Sequence, residues 1–134
     1  MSASDWHRTL DHLGELGDLY ETLPPLNLCD PFYVHFDERE ESATVGFTTT
    51  VEPSAPPPGW LENAVNTVEF YLLFTGVAEA RVFGWGPAQA QHAGLAVKDG
   101  RVLATLGNPG TGVEFRARSV HVSKTRVYKA AVSP

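Results

Sequence analysis

The sequence predicts a mainly β domain: an antiparallel sandwich or half-barrel of about seven to eight strands, with one N-terminal helix. Three observations point there. Short runs rich in β-branched and aromatic residues recur between residues 28 and 130. Turn residues interrupt them at roughly eight- to twelve-residue spacing. No long helical pattern lies between the runs to carry a parallel crossover. At 134 residues the chain is expected to form a single domain, residues 1–134.

Residues 4–20 read as the helix. Ser4 or Asp5 caps its free N–H groups. Trp6, Leu10, Leu13, Leu16 or Gly17, and Tyr20 form one apolar stripe. Gly14 and Gly17 each weaken a helix by about 1 kcal/mol relative to alanine. Packing must therefore hold this helix, or it is shorter than the stripe. Pro24 and Pro25 end it, because neither offers an N–H.

The period then changes to two, and a β body over residues 28–130 follows. Phe32–Phe36 reads as a strand between Asp30-Pro31 and a charged turn, Asp37–Glu41. Ala43–Val51 pairs with it as a hairpin, with Val45 and Phe47 on one face. Glu52–Gly59 holds four prolines in eight residues, so it reads as a loop. Val65–Phe74 lacks clean alternation. It reads as a strand buried on both faces or bulged, with a short buried helix as the competing assignment. Val77–Trp85 is a further strand, ended by Gly86-Pro87. Leu95–Val97 and Arg101–Leu106 flank Lys98-Asp99-Gly100, whose Asp-Gly pair suits a tight hairpin turn. After a second turn cluster at Gly107–Gly110, Val113–Arg118 and Ser119–Tyr128 finish the chain as strands.

Composition narrows the function. The net charge is −6, which disfavours nucleic acid as a partner. No apolar run reaches the roughly 18–20 residues of a membrane helix, and no signal peptide is visible, so no membrane partner and a cytoplasmic location are expected. A single cysteine, Cys29, allows no internal disulfide and no multi-cysteine zinc cage. Charge is uneven: residues 1–41 carry a net −8, residues 42–97 a net −3, and residues 98–134 a net +5. Either the surface is dipolar and steers a partner, or the two ends lie side by side and neutralise each other.

No catalytic set emerges. The five histidines (His7, His12, His35, His92, His121) show no HxH or HExxH spacing, so no metal is expected. Cys29 precedes Asp30 in the acidic part of the chain, which raises a thiol pKa rather than activating it. There is no Gly-x-Ser-x-Gly elbow. Gly107–Gly112 lacks the Lys-Ser/Thr of a phosphate loop. The acids of Asp37–Glu41 lack calcium-loop spacing and read as a solvated turn. Trp60, directly after the proline block, either plugs the end of the core or anchors a partner.

A family pattern joins these pieces. Leu19-Tyr20 and Pro24-Pro25-Leu26 precede a first strand. A Pro-rich stretch ending in Trp60 follows. Then come Asn66-Thr67-Val68 with Phe70, the segment Val82-Phe83-Gly84-Trp85, and a late strand closing on Val127-Tyr128. This order, from Trp6 to Tyr128, resembles the Imm50-type immunity proteins of bacterial polymorphic toxin systems. The resemblance implies a mostly β protein that neutralises a cognate toxin by binding it, with no catalytic residues and no cofactor.

The expected function is therefore non-catalytic toxin binding. Asp37, Glu38, Glu40 and Glu41 would steer a basic toxin, and Trp60 with the Pro53–Pro58 loop would pack against it. Two rivals stand beside this reading. One is a small-ligand-binding or enzymatic β-barrel with a pocket lined by Phe32, Phe70, Phe74 or Trp85. The other is a structural module that self-associates through an edge strand. The oligomeric state is left open.

Overall fold

The computed structural model describes residues 6–60, 65–83, 93–108 and 111–129. The alternating runs become eight strands: β1 (Asp30–Asp37), β2 (Ser42–Thr49), β3 (Thr67–Thr75), β4 (Ala78–Phe83), β5 (Ala93–Lys98), β6 (Arg101–Asn108), β7 (Thr111–Ala117) and β8 (Ser119–Tyr128). They form two four-stranded antiparallel sheets, ordered β1-β2-β3-β8 and β4-β7-β6-β5. The sheets do not close into a barrel.

One bent ribbon joins the sheets. The β3–β8 ladder runs from Thr67 opposite Tyr128 to Thr75 opposite Ser119. The β4–β7 ladder resumes with Ala78 opposite Arg116 and ends with Phe83 opposite Gly112. Both strands of the pair thus switch sheets at the same point, as bends and bulges allow. Gly76 makes the bend possible. Its φ is +65°, and a Cβ there would lie 2.8 Å from Cβ of Arg118. The Arg118 N–H donates to the Thr75 carbonyl at 2.8 Å, closing the corner.

Between the sheets, alternate side chains of β2 and β3 meet β7. Val45, Phe47, Val68, Phe70, Leu72, Phe74 and Phe115 are each 1% exposed or less. Phe47 stacks on Phe70 at 5.3 Å, and Phe74 meets Phe115 edge-on at 4.9 Å. Trp6 covers Phe70 from the N-terminal side at 5.8 Å. Its Nε1–H donates to the Pro24 carbonyl at 2.8 Å, so the indole is buried with its polar atom satisfied.

The N-terminal segment corrects the sequence reading. Residues 4–20 are not one helix. Within the described residues there is a 3₁₀ turn at Trp6–Thr9 and a single α-turn, α1 (Leu16–Leu19). Gly14, at φ +55°, lies between them in a conformation no α-helix contains. In exchange, the backbone here bonds to β8: Asp11 N–H donates to the Val120 carbonyl at 2.8 Å, and Val122 N–H to the His12 carbonyl at 3.2 Å. The apolar stripe survives as burial: Trp6, Leu16 and Tyr20 lie in the core, with Leu10 and Leu13 packed against it. The Ser4 or Asp5 cap lies outside the described residues.

Of the two readings of residues 65–74, the strand is the one found. Val68, Phe70, Leu72 and Phe74 point inward, and the register slips between Tyr71 and Leu72 because Ser123 bulges from β8. The Asp99-Gly100 turn has φ values of 54° and 75°, the left-handed pair a tight hairpin requires. Trp85 and Gly86-Pro87 lie outside the described residues.

Candidate functional site

Strand registers fix what the outer face of the β1-β2-β3-β8 sheet presents. One row reads Asp30, Thr48, Glu69, Arg126; the next Tyr33, Gly46, Tyr71, Lys124; the third His35, Thr44, Leu73, His121. β1 slips register between Pro31 and Tyr33, so Phe32 is an extra residue. Its ring lies beside that of Tyr71, at 5.9 Å and edge-on. Tyr33 meets Tyr71 at 6.1 Å and stacks on His35 at 6.3 Å.

Gly46 makes room for these rings. A Cβ at this position would come within 2.9 Å of both the Phe32 and Tyr71 rings. The result is an aromatic cluster on a rigid sheet, with Phe32 51% and Tyr33 44% exposed. Cations border it: Lys124 Nζ lies 5.9 Å from the Tyr71 ring centroid, and the Arg126 guanidinium 4.9 Å from that of Tyr128.

Glu69 organises the basic side. It is only 4% exposed, yet it faces outward and is covered by Arg126, whose Nε donates to its Oε2 at 2.5 Å and Nη2 to Oε1 at 3.3 Å. The Tyr71 hydroxyl donates to the same carboxylate at 3.3 Å. Hydrogen bonding from Arg126 outweighs burial and holds the Glu69 carboxyl below its ordinary value. Burial, followed by the charge of Glu69, raises the Tyr71 hydroxyl.

The predicted acidic turn sits at the far end of β1. Glu38, Glu40 and Glu41 are exposed and Asp37 is half-buried. Asp37 Oδ1 accepts from the Glu40 N–H at 3.2 Å, and the Glu41 carbonyl accepts from Val77 N–H at 2.8 Å. Glu41 itself holds φ 49°. The turn is thus anchored by its backbone and by the Asp37 carboxylate, while Glu38, Glu40 and Glu41 are exposed.

Of the two roles expected for Trp60, plug of the core or partner contact, its burial fits the first. At 7% exposed it belongs to the core, so the indole is a plug rather than a contact surface. The proline loop is likewise tied down: Pro53 is buried, Ala55 N–H donates to the Leu19 carbonyl at 3.0 Å, and the Tyr20 hydroxyl donates to the Val51 carbonyl at 2.6 Å. Nor do the residues named for a barrel pocket converge. Phe70 and Phe74 are sealed in the core, Phe32 lies on the outer face, and Trp85 lies outside the described residues. A cleft of about 340 Å³ does open between the N-terminal segment and β8, lined by His12, Gly14, Glu15 and Val122–Thr125.

Cys29 is 3% exposed, and burial, with a smaller contribution from Asp30, pushes its thiol up to about 12 against a hydrogen bond with Thr49 that lowers it. Such a thiol is inert as a nucleophile at neutral pH. Among the described residues, no group of three or more His, Cys, Asp or Glu side chains is gathered as a metal site, and no helix is long and apolar enough to cross a membrane.

The aromatic face is the feature that residue reading missed. A signal was present: in Phe32-Tyr33-Val34-His35-Phe36 every residue is large, so burying either face of the strand leaves the other face apolar or aromatic.

The family model described as Immunity protein 50 matches residues 15–128. A solved structure of an uncharacterized protein from Neisseria gonorrhoeae is similar over 72% of this chain and 90% of its own, with a TM-score of 0.46 at 10% identity. No curated protein matches the chain.

Proposed function

Because the chain belongs to the Immunity protein 50 family, we propose that it is a non-catalytic immunity protein that binds and neutralises a cognate bacterial toxin. The single observation that carries this reading to a surface is the exposed aromatic face of the β1-β2-β3-β8 sheet, centred on Phe32, Tyr33 and Tyr71 and bordered by Lys124 and Arg126. Tyrosine and arginine dominate the energetics of protein interfaces. Here they stand on strands with few rotatable bonds left to freeze, so little ordering entropy is lost on binding.

Inhibition is steric in this proposal: the face covers the toxin's active site or its substrate path. Asp37, Glu38, Glu40 and Glu41 extend from one end of the face as the steering element for a basic toxin in the bacterial cytoplasm. The test is co-expression with the product of the adjacent reading frame, where that product is toxic on its own. Restored growth together with a purified complex of the two chains is the expected result. Continued toxicity with no complex would refute the reading.

A further inference from the structure

The four sheet edges differ in how they are protected. The edge of β8 is covered by the backbone of Asp11 and His12. β5 packs against the 3₁₀ turn at Trp6–Thr9 and a second one at Leu26–Leu28. β4 is interrupted: its register slips between Ala78 and Arg81, Glu79 stands at φ 54°, and its carboxylate pairs with Arg116 at 2.8 Å. Bulges and charges of this kind blunt an edge.

β1 has its proline, Pro31, and its bulge, Phe32, toward one end; from Tyr33 to Asp37 its register with β2 is unbroken. Among the described residues it pairs with β2 alone. Four large apolar side chains along it are exposed: Phe32, Tyr33, Val34 and Phe36. A long apolar edge is a template for another strand, and evolution normally blunts it unless it is used.

Charge selects the occupant. Asp30 and Asp37 bracket the apolar stretch, and Glu38, Glu40 and Glu41 continue the acid beyond it. If a second copy paired antiparallel about the strand's centre, Asp30 of each chain would oppose Asp37 of the other, at both ends. Parallel pairing in register would oppose each aspartate with its own copy. Like charges directly opposite one another destabilise a strand pair.

We propose that β1 is the strand-pairing edge for the toxin. A strand of the toxin, apolar at its centre and basic at both ends, adds to β1 and extends the sheet from four strands to five. Main-chain hydrogen bonds give such a pairing its affinity, and alternate side chains give it specificity. Phe32 and Tyr33 then meet the toxin side chains on the outer face. This inference rests on the immunity reading and specifies how the toxin is held.

Backbone amide hydrogen exchange tests it, on the full chain alone and in complex with the adjacent-frame toxin. Expected on binding is protection of those β1 amides that point away from β2, with the amides of β4 unchanged. The variant Asp30→Lys/Asp37→Lys should weaken the complex by about tenfold or more. Its melting temperature checks that the fold is intact, and Asp30→Lys alone serves if loss of the Asp37 turn bond disturbs it. Neutralisation with unchanged β1 exchange overturns the inference and leaves the immunity reading standing. A free chain that sediments as a dimer with β1 already protected overturns it too, since a second copy then fills the edge. No neutralisation and no complex removes the immunity reading and this inference with it.

Discussion

Gly112 stands at φ +149°, and a Cβ there would lie 2.0 Å from the Leu106 carbonyl oxygen. That neighbour is backbone inside a ladder and cannot give way. Gly112→Ala should destabilise the protein by about 2–4 kcal/mol, measured by chemical denaturation. Gly46 is a contrasting case. A Cβ there meets the tip of the Phe32 ring, which is 51% exposed and can swing toward solvent, and the edge of the Tyr71 ring. Gly46→Ala should therefore barely change the melting temperature while dispersing the aromatic cluster, and toxin affinity should fall. Cys29 gives a pH dependence. Its thiol titrates at an ordinary 9.0 when unfolded and at about 12 when folded, so the folded state holds a proton that the unfolded state releases. The stability is fully present below pH 9 and is lost as pH rises toward 12, by up to about 1.4 kcal/mol per pH unit. Tyr20, also raised by burial, adds a loss of the same sign above pH 10.0. Cys29→Ala should make the alkaline slope shallower without abolishing it, as denaturation series at several pH values would read.

At the scale of elements, the N-terminal segment works as a cover rather than as a helix. It places Trp6 on Phe70 and lends backbone partners to β8. Trp6→Ala removes a ring that is 1% exposed and should cost about 3–5 kcal/mol. Deleting residues 1–13 should uncover the β8 edge at Val120 and Val122. The expected outcome is self-association, seen as larger species in sedimentation than the full chain gives. The hairpin β1–β2 behaves differently. Its turn is anchored to Val77 and its strand edge faces solvent, so it presents side chains without depending on the N-terminal cover.

Across the whole molecule, charge follows the sheet. The acidic turn lies beyond the Asp37 end of β1, whereas Lys124 and Arg126 lie on β8, three strands across and level with Tyr33 and Asp30. The acidic and basic ends of the chain do meet in one place, since Glu15 and Lys124 line the same cleft. Glu38, Glu40 and Glu41 of the turn are exposed and do not line that cleft. Charge reversal at Glu38, Glu40 and Glu41 should slow association with a basic toxin and flatten its dependence on salt, leaving the dissociation rate nearly unchanged. Stopped-flow kinetics at several ionic strengths would check this, and an unchanged association rate would remove the turn as the steering element.

The sequence by itself determined the class of fold and most strand positions. Period-two runs and the Asp99-Gly100 turn are local properties, set by pleat geometry and by which residues tolerate positive φ. It also determined which N-terminal residues are buried, since the stripe Trp6, Leu16 and Tyr20 needs a core whatever its backbone does. Its error over residues 4–20 has a physical cause. A bare edge of β8 offered the backbone hydrogen bonds that a helix interrupted by Gly14 could not. The surface was decided only in three dimensions. Whether Trp60 plugs or protrudes depends on which elements reach it. Whether Phe32 and Tyr33 share a face depends on a one-residue register slip, and Gly46 matters only because two strands bring Phe32 and Tyr71 over it. Exposure belongs to the packed arrangement of strands distant in the chain, so no single segment can carry it.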